Sequence, residues 1–223
     1  MHVTVRALAI ALALVPAVAM ADTRGFGEFA IGAVTPLAFG VNFADRLTDI
    51  SGTNQLGGLR GPDFDLKNSY TYGGKIGYFP GHGWFGLELD VFNSSPHIKN
   101  LDEIPGIHLQ VTQVGLNLIA RYPGVTFQPY AGIGTGIVIA RVSGAGLVSG
   151  IPNAPRTGSD SDVTSGLTLL AGIRAFVTPY VAVFTEYKNT GATLQFVQGF
   201  GSVGGFSGDY RAQHVVVGVS YHF

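Results

Sequence analysis

From Gly25 onward, apolar and polar residues alternate with a period of two, in segments of about ten residues separated by turn-forming residues. Trp84 to Asn93 shows it best: Phe85, Leu87, Leu89 and Val91 fall on one face, and Gly86, Glu88, Asp90 and Phe92 on the other. Eight such segments follow one another: 25–34, 69–79, 84–93, 109–122, 127–142, 166–177, 181–190 and 210–223. None carries a helical repeat. Because successive side chains of a strand point to opposite faces, each segment predicts a strand with one apolar and one polar face.

The connections alternate in length. Those at 35–68, 94–108, 143–165 and 191–209 are long and rich in Gly, Ser, Asn, Asp and Pro. Those between them are short: Pro80-Gly81-His82-Gly83, Pro123-Gly124-Val125-Thr126 and Thr178-Pro179-Tyr180. Long loops at one end and tight turns at the other predict an all-β protein, an eight-stranded antiparallel up-and-down transmembrane β-barrel. In hydrocarbon every backbone N–H and C=O must be paired within the protein, so a chain without helices must close its sheet.

The apolar faces then point to lipid. They comprise Phe29, Ile31 and Ala33 on the first strand, Tyr70, Tyr72, Ile76 and Tyr78 on the second, and Val114, Leu116 and Leu118 on the fourth. The sixth presents Leu167, Leu169 and Ile173, the seventh Val181, Val183 and Tyr187, and the eighth Val215, Val217 and Val219. On the fifth, Ala131, Ile133, Ile137 and Ile139 point outward, although Gly132, Gly134 and Gly136 weaken the phase. Tyr78, Trp84, Phe85, Tyr122, Tyr130 and Tyr180 gather at the short turns and predict an interfacial aromatic girdle.

Composition agrees with this layout. The 223 residues include 33 Gly and 12% charged residues, with a formal net charge of −1 and no Cys. The charged share is about half that of a soluble domain. No basic stripe exists to hold nucleic acid, and no disulfide framework is possible. Residues 1–21 read as a cleaved signal peptide, with Arg6, an apolar run from Ala7 to Val18, and Ala19-Met20-Ala21 at the cleavage site. That run is shorter than the ~20 residues of a spanning helix, so residues 22–223 form the predicted barrel domain.

The polar faces carry Glu28, Lys75, Glu88, Asp90, Arg121, Arg174, Glu186 and Lys188 into the lumen, four acids and four bases. A four-residue turn at Pro80–Gly83 would pair Phe79 with Trp84 and set Lys75 opposite Glu88; a three-residue turn at Thr178–Tyr180 would set Glu186 opposite Gly172 and diagonal to Arg174. Two readings stay open. The charges cross-brace a filled interior, or they exchange partners to open a narrow, low-conductance channel.

The final run Val217-Gly218-Val219-Ser220-Tyr221-His222-Phe223 places Gly218, Tyr221 and Phe223 in the spacing of an outer-membrane insertion signal. With Trp84-Phe85-Gly86-Leu87-Glu88-Leu89-Asp90, Pro129-Tyr130-Ala131-Gly132-Ile133-Gly134 and Phe184-Thr185-Glu186-Tyr187-Lys188, the chain resembles the small bacterial outer-membrane barrels, the OmpA-like and opacity-protein-like porin superfamily. That resemblance implies export to the periplasm, insertion by the assembly machinery, residence as a monomer in the Gram-negative outer membrane, and contact with its lipid and lipopolysaccharide. It implies no cofactor and no single activity.

Other motifs add little. Gly199-Phe200-Gly201-Ser202-Val203-Gly204 matches the dinucleotide pattern without a following helix. Asp160 and Asp162 fall short of a calcium site, and the six His lack metal-ligand spacing. Lipid A deacylases place a His two residues before a Ser. Here Ser220 and His222 stand in the reverse order at the short-turn end, so no catalytic residue is assigned. The first long connection, with Arg46, Asp49, Asn54, Arg60, Asp63, Asp65 and Lys67, is long enough for an adhesin or receptor role. A lipocalin-like carrier would point its apolar faces inward instead. The sequence therefore reads as a structural or surface barrel of the outer membrane.

Overall fold

A computed structural model describes residues 33–49, 64–80, 83–98, 108–145, 157–196 and 206–222. They form eleven antiparallel strands in chain order: β1 (Ala33–Asn42), β2 (Arg46–Asp49), β3 (Phe64–Lys67), β4 (Ser69–Tyr78), β5 (Phe85–Ser94), β6 (His97–Ile98), β7 (His108–Arg121), β8 (Phe127–Ala145), β9 (Thr157–Phe176), β10 (Val181–Phe196) and β11 (Phe206–His222). The sheet closes twice. Toward the short turns, β1, β4, β5, β7, β8, β9, β10 and β11 form a ring of eight sealed by the β1–β11 pairing. Toward the long connections, β2, β3 and β6 take the places of β1, β4 and β5, and β11–β2, β2–β3, β3–β6 and β6–β7 pairings seal a second ring.

This collar explains the strand lengths. A membrane-crossing strand needs only about 9–11 residues, which β1, β4 and β5 supply with 10 each. By contrast β8 has 19 residues and β9 has 20. Segments expected as loop are therefore largely strand: 143–145, 157–165, 191–196 and 206–209 extend the wall, and 35–68 contains most of β1 and all of β2 and β3.

The first strand differs most from expectation. It runs from Ala33 to Asn42, with Leu37, Phe39 and Val41 outward, while Ala33 is buried and not lipid-facing. Pro36 had marked the start of a loop, yet it sits inside β1 where the ladders to both neighbours slip, between Val34 and Leu37 on one side and Thr35 and Ala38 on the other. A bulge is where a strand tolerates a residue that cannot donate to the ladder. Glu28, Phe29, Ile31 and the expected signal peptide lie outside the described residues. The β4–β5 register also differs: Tyr78 pairs with Leu87, which sets Lys75 opposite Asp90 and puts Glu88 on the diagonal. The β9–β10 register does set Glu186 opposite Gly172.

Within single strands one parity faces inward throughout, but the polarity of the two faces reverses between the two rings. In the lower ring Leu116, Leu118, Ile133, Ile137, Val217 and Val219 are exposed outside while Glu88, Asn117 and Glu186 are buried inside. Higher on the same strands Leu109, Val111, Val138, Ala140, Val142, Leu194, Phe196, Tyr210 and Ala212 turn inward and, with Leu47 and Leu66, form the largest apolar cluster. Gln110, Arg141, Thr193 and Arg211 are exposed outside them. Apolar-out suits hydrocarbon and apolar-in suits water, so the reversal marks where the wall leaves the bilayer.

Leu194→Ala should therefore behave as a core deletion and lower unfolding stability by about 2–4 kcal/mol. Leu167→Ala, on the outer face of β9, should cost much less in denaturant titrations of the detergent-folded barrel, and equal costs would contradict the assigned reversal.

Candidate functional site in the lumen

Inward residues stack in storeys. Nearest the short turns, Ala33, Phe79, Ile119, Tyr130 and Leu170 form an apolar floor. The Arg121 and Arg174 guanidinium carbons stand 4.3 and 5.3 Å from the Phe79 ring centroid, and Arg174 stands 4.8 Å from that of Tyr130. Guanidinium faces stack favourably on aromatic rings. Arg121 also donates from Nε to the Gly83 carbonyl at 3.1 Å. Tyr130 has room to point inward because Gly172 faces it: a Cβ there would lie 2.6 Å from the Tyr130 hydroxyl.

Above this floor lies the ionic storey. Lys75 Nζ donates to Glu88 Oε1 at 3.0 Å and to Glu186 Oε1 at 2.6 Å. Glu186 also accepts from the Tyr130 hydroxyl at 2.8 Å, and Arg174 Nη2 lies 3.6 Å from Glu88 Oε2. Lys188 Nζ meets Asp90 Oδ2 at 2.6 Å, and Asn117 Nδ2 donates to the same oxygen at 2.7 Å. β5 and β10 are opposite staves of the lower ring, so the Asp90–Lys188 pair spans the bore. Ala38, Phe92, Phe184 and Val216 fill the space around the lysines; Lys188 Nζ is 4.6 Å from the Phe92 ring centroid and Lys75 Nζ is 5.4 Å from that of Phe184. Thr168, Thr190 and Gln113 form a hydrogen-bonded layer above, and the apolar cluster of the collar closes the top.

Lys75, Glu88, Asp90, Arg121, Arg174, Glu186 and Lys188 are all buried in the lumen and meet through these contacts. Glu28 lies outside the described residues. Seven charges in a bore barely wider than its side chains are tolerable because carboxylates and ammonium groups are paired across it. Arg174 forms an ion pair across the lumen with Glu88, and Glu186, its diagonal neighbour, is held by Lys75 and Tyr130.

Of the expected girdle, Trp84, Phe85, Tyr122 and Tyr180 are exposed and Tyr78 is half-buried. Trp84 meets Tyr122 edge-on at 5.7 Å, and Tyr180 stacks on Tyr221 at 6.3 Å. Tyr130 is not part of it: only 5% exposed, it shares the inward parity of Gly132 and bonds Glu186. Sequence reasoning missed an upper set, Phe43, Tyr70, Tyr72 and Tyr187, at the other edge of the apolar band; Phe43 packs on Tyr187 at 6.1 Å. Of the residues expected to form an insertion signal, Gly218 and Tyr221 lie on β11, and Phe223 lies outside the described residues.

The remaining motifs find structural places. Ser220 Oγ and His222 Nε2 are 2.9 Å apart, both buried inside the short-turn end. Asp162 accepts from the Gln195 amide at 2.7 Å and ties β9 to β10 above their ladder. Among the described residues no group of three His, Cys, Asp or Glu could hold a metal. The glycine run 199–204 lies outside them. Between β1 and β2, Ala44 takes a left-handed φ of 51° and Asp45 turns inward. Its carboxylate accepts from the Gln213 amide and the Asn42 side chain, each at 2.8 Å. Burial nevertheless pushes the Asp45 carboxyl up to about 6.

The model of the outer membrane protein beta-barrel domain matches residues 7–223. The chain belongs to this outer-membrane β-barrel family. Three solved barrels are similar to it in fold. OprG from Pseudomonas aeruginosa is 18% identical, with a TM-score of 0.57 over 86% of this chain and 96% of that one. Neisserial surface protein A is 15% identical, with a TM-score of 0.52 over 86% and 96%. AlkL, solved in lipid bilayers, is 17% identical, with a TM-score of 0.52 over 86% and 90%. No curated protein sequence matches the chain significantly.

Lys75→Met should strand two buried carboxylates and destabilise this family member by about 3–5 kcal/mol, while adding Glu186→Gln should recover a large part of the loss. The check is the denaturant midpoint of all three proteins. Asp45 gives a pH test: its folded-state affinity for a proton exceeds the unfolded one, so its contribution is fully present below about pH 4 and is lost as pH rises through about 6. Asp45→Asn should flatten that fall in thermal stability between pH 4 and 7, and an unchanged profile would exclude Asp45 as its source.

Proposed function

We propose that this barrel is a closed structural protein of the Gram-negative outer membrane that holds an eight-stranded collar, and the long connections it carries, above the bilayer on the cell surface. The observation that carries this reading is the double closure of the bore. The ion-paired storey braces the lower lumen, and the apolar cluster around Leu47, Val138, Leu194 and Phe196 fills the collar. Rearranging the salt bridges alone would leave that upper seal intact, which favours a structural role over a gated channel. Export through residues 1–21, recognition of the last strand by the assembly machinery, and a monomeric state belong to the same reading. Surface recognition, where it occurs, falls to the connections, since the wall is engaged with lipid below and with its own core above.

The test is planar-bilayer conductance of the refolded barrel, after heat-modifiable gel mobility has confirmed closure. The intact protein and Glu88→Ala should both be silent. Discrete small steps in the intact protein that change with Glu88→Ala or Arg174→Ala would overturn the reading in favour of a narrow channel.

A further inference from the structure

The floor of the lumen carries buried donors that the ionic storey above it does not use. Arg174 is 4% exposed, and its guanidinium lies over the rings of Phe79 and Tyr130. Among the described residues its one ion pair is with Glu88 through Nη2 at 3.6 Å, too long for a hydrogen bond, and Glu88 is also held by Lys75. Arg174 Nε and Nη1 are buried without a hydrogen-bond partner among the described residues. A buried donor left in that state keeps the full cost of its desolvation, and more so on a charged group. Arg121 brings a second guanidinium to the same Phe79 ring, so positive charge is concentrated at this one level of the bore.

The residue in register with Arg174 on β8 is Gln128. Gln128 is half-buried and shares the inward parity of Tyr130 and Gly132. Its amide orientation is fixed, because Nε2 donates to the Gly124 carbonyl at 2.9 Å and a flipped amide would set two oxygens against each other. That leaves Oε1 as a buried acceptor without a partner. Gln128 is anchored toward the short turn at Gly124 while Arg174 lies over the two rings, so the pair do not bond each other. Residues directly opposite on adjacent strands hold their Cβ atoms about 5 Å apart, so the unused donors and the unused acceptor border one space. β4 ends at Tyr78 and β11 at His222, which makes this the last inward level of the ring on the side of the short turns.

We propose that this floor binds a small oxyanion that still carries a proton, inorganic phosphate, entering from the side of the short turns. Its oxygens accept from Arg174 Nε and Nη1, Arg121 adds positive charge, and its P–OH donates to Gln128 Oε1. Guanidinium groups suit phosphate because their donors are planar, fixed in direction and always charged. The acceptor selects the ligand. Phosphate at neutral pH retains a proton to donate to Oε1, whereas sulfate has none and would set a bare oxygen against it. The site goes beyond the structural reading by giving the closed lumen a ligand, and it holds whether or not the lumen conducts.

Refolded barrel, shown to be closed by heat-modifiable mobility, would be titrated calorimetrically in neutral detergent at neutral pH with sodium phosphate and, at matched ionic strength, with sodium sulfate. The intact protein should bind phosphate saturably and sulfate about tenfold more weakly, the cost of facing a buried acceptor with an oxygen that has no proton. Arg174→Gln should lose binding of both anions. Gln128→Leu keeps both arginines and leaves the ion pairs of the storey above untouched, and it should bind the two anions with equal affinity; where Arg174→Gln fails to close, this comparison decides alone. Equal affinities in the intact protein would overturn the site, because screening of positive charge needs no acceptor. Binding retained by a closed Arg174→Gln barrel, or a preference for phosphate that survives Gln128→Leu, would overturn it as well. A closed intact barrel that binds neither anion would overturn the site and leave the structural reading standing, whereas an intact chain that never closes would count against both.

Discussion

The closed lower ring of this fold follows from the cost of an unpaired peptide group in hydrocarbon. A strand at the edge of an open sheet would expose a row of N–H and C=O groups to lipid, each costing several kcal/mol. The lower ring avoids this by joining β1 to β11, a contact between the first and last described strands that completes only when the whole chain is in place. The wall does not end where β1, β4 and β5 stop, although an edge in water would no longer carry that cost. β11, β10, β9, β8 and β7 continue upward, and without partners β11 and β7 would become edges. The short strands β2, β3 and β6 supply those partners, and even the break at Asp45 is bridged by hydrogen bonds from Phe43 to Gln213 and from Leu66 to Asp45.

The interior then solves a second problem. Eight strands leave a bore that side chains can just fill, and the two rings fill it by opposite rules because their outer solvents differ. Below, the outer face satisfies the lipid, so polar groups are admitted inside and must satisfy one another. Lys75 therefore binds two carboxylates, and Asp90 accepts from both Lys188 and Asn117. Above, the outer face meets water, and the collar acquires an ordinary dry core. Glycines on the inner face trade volume with their neighbours: Gly172 yields space to Tyr130, and Gly115 faces the Asp90 carboxylate at 2.8 Å from where a Cβ would sit.

This division explains what could be read from the sequence. Alternation, connection lengths and turn chemistry make seven of the eight lower staves and their faces legible, β4, β5 and β7 to β11, because lipid on one side imposes a strict rule. The charges found in the lumen were legible for the same reason, since a lysine or arginine facing mid-bilayer costs about 2–4 kcal/mol. β1 was misplaced because Pro36 looks like a loop residue unless the bulge that accommodates it is known. Tyr130 lies as near a short turn as the girdle residues do, and only its parity with Gly132 marks it as inward. The collar was read as loop since β2, β3 and β6 have at most four residues each, too short for any alternation to register. Their positions follow from the edges they must cover, which is a property of the assembled sheet and not of the local sequence.

The reversal of the two faces nevertheless leaves a trace in the sequence. In β7 the apolar residues run Leu109, Val111, then Val114, Leu116, Leu118: the parity changes from odd to even between Val111 and Val114, with Thr112 and Gln113 at the crossing. A strand that kept one environment would show no such slip. A strand that turned over would show it only with a bulge, and the β7–β8 ladder runs without interruption from His108–Ser143 to Arg121–Tyr130. A change of solvent along an unbroken strand is what remains. The slip in phase, read on an unbroken ladder, thus locates the membrane surface on β7 and places Gln110 and its partner Arg141 on the water side.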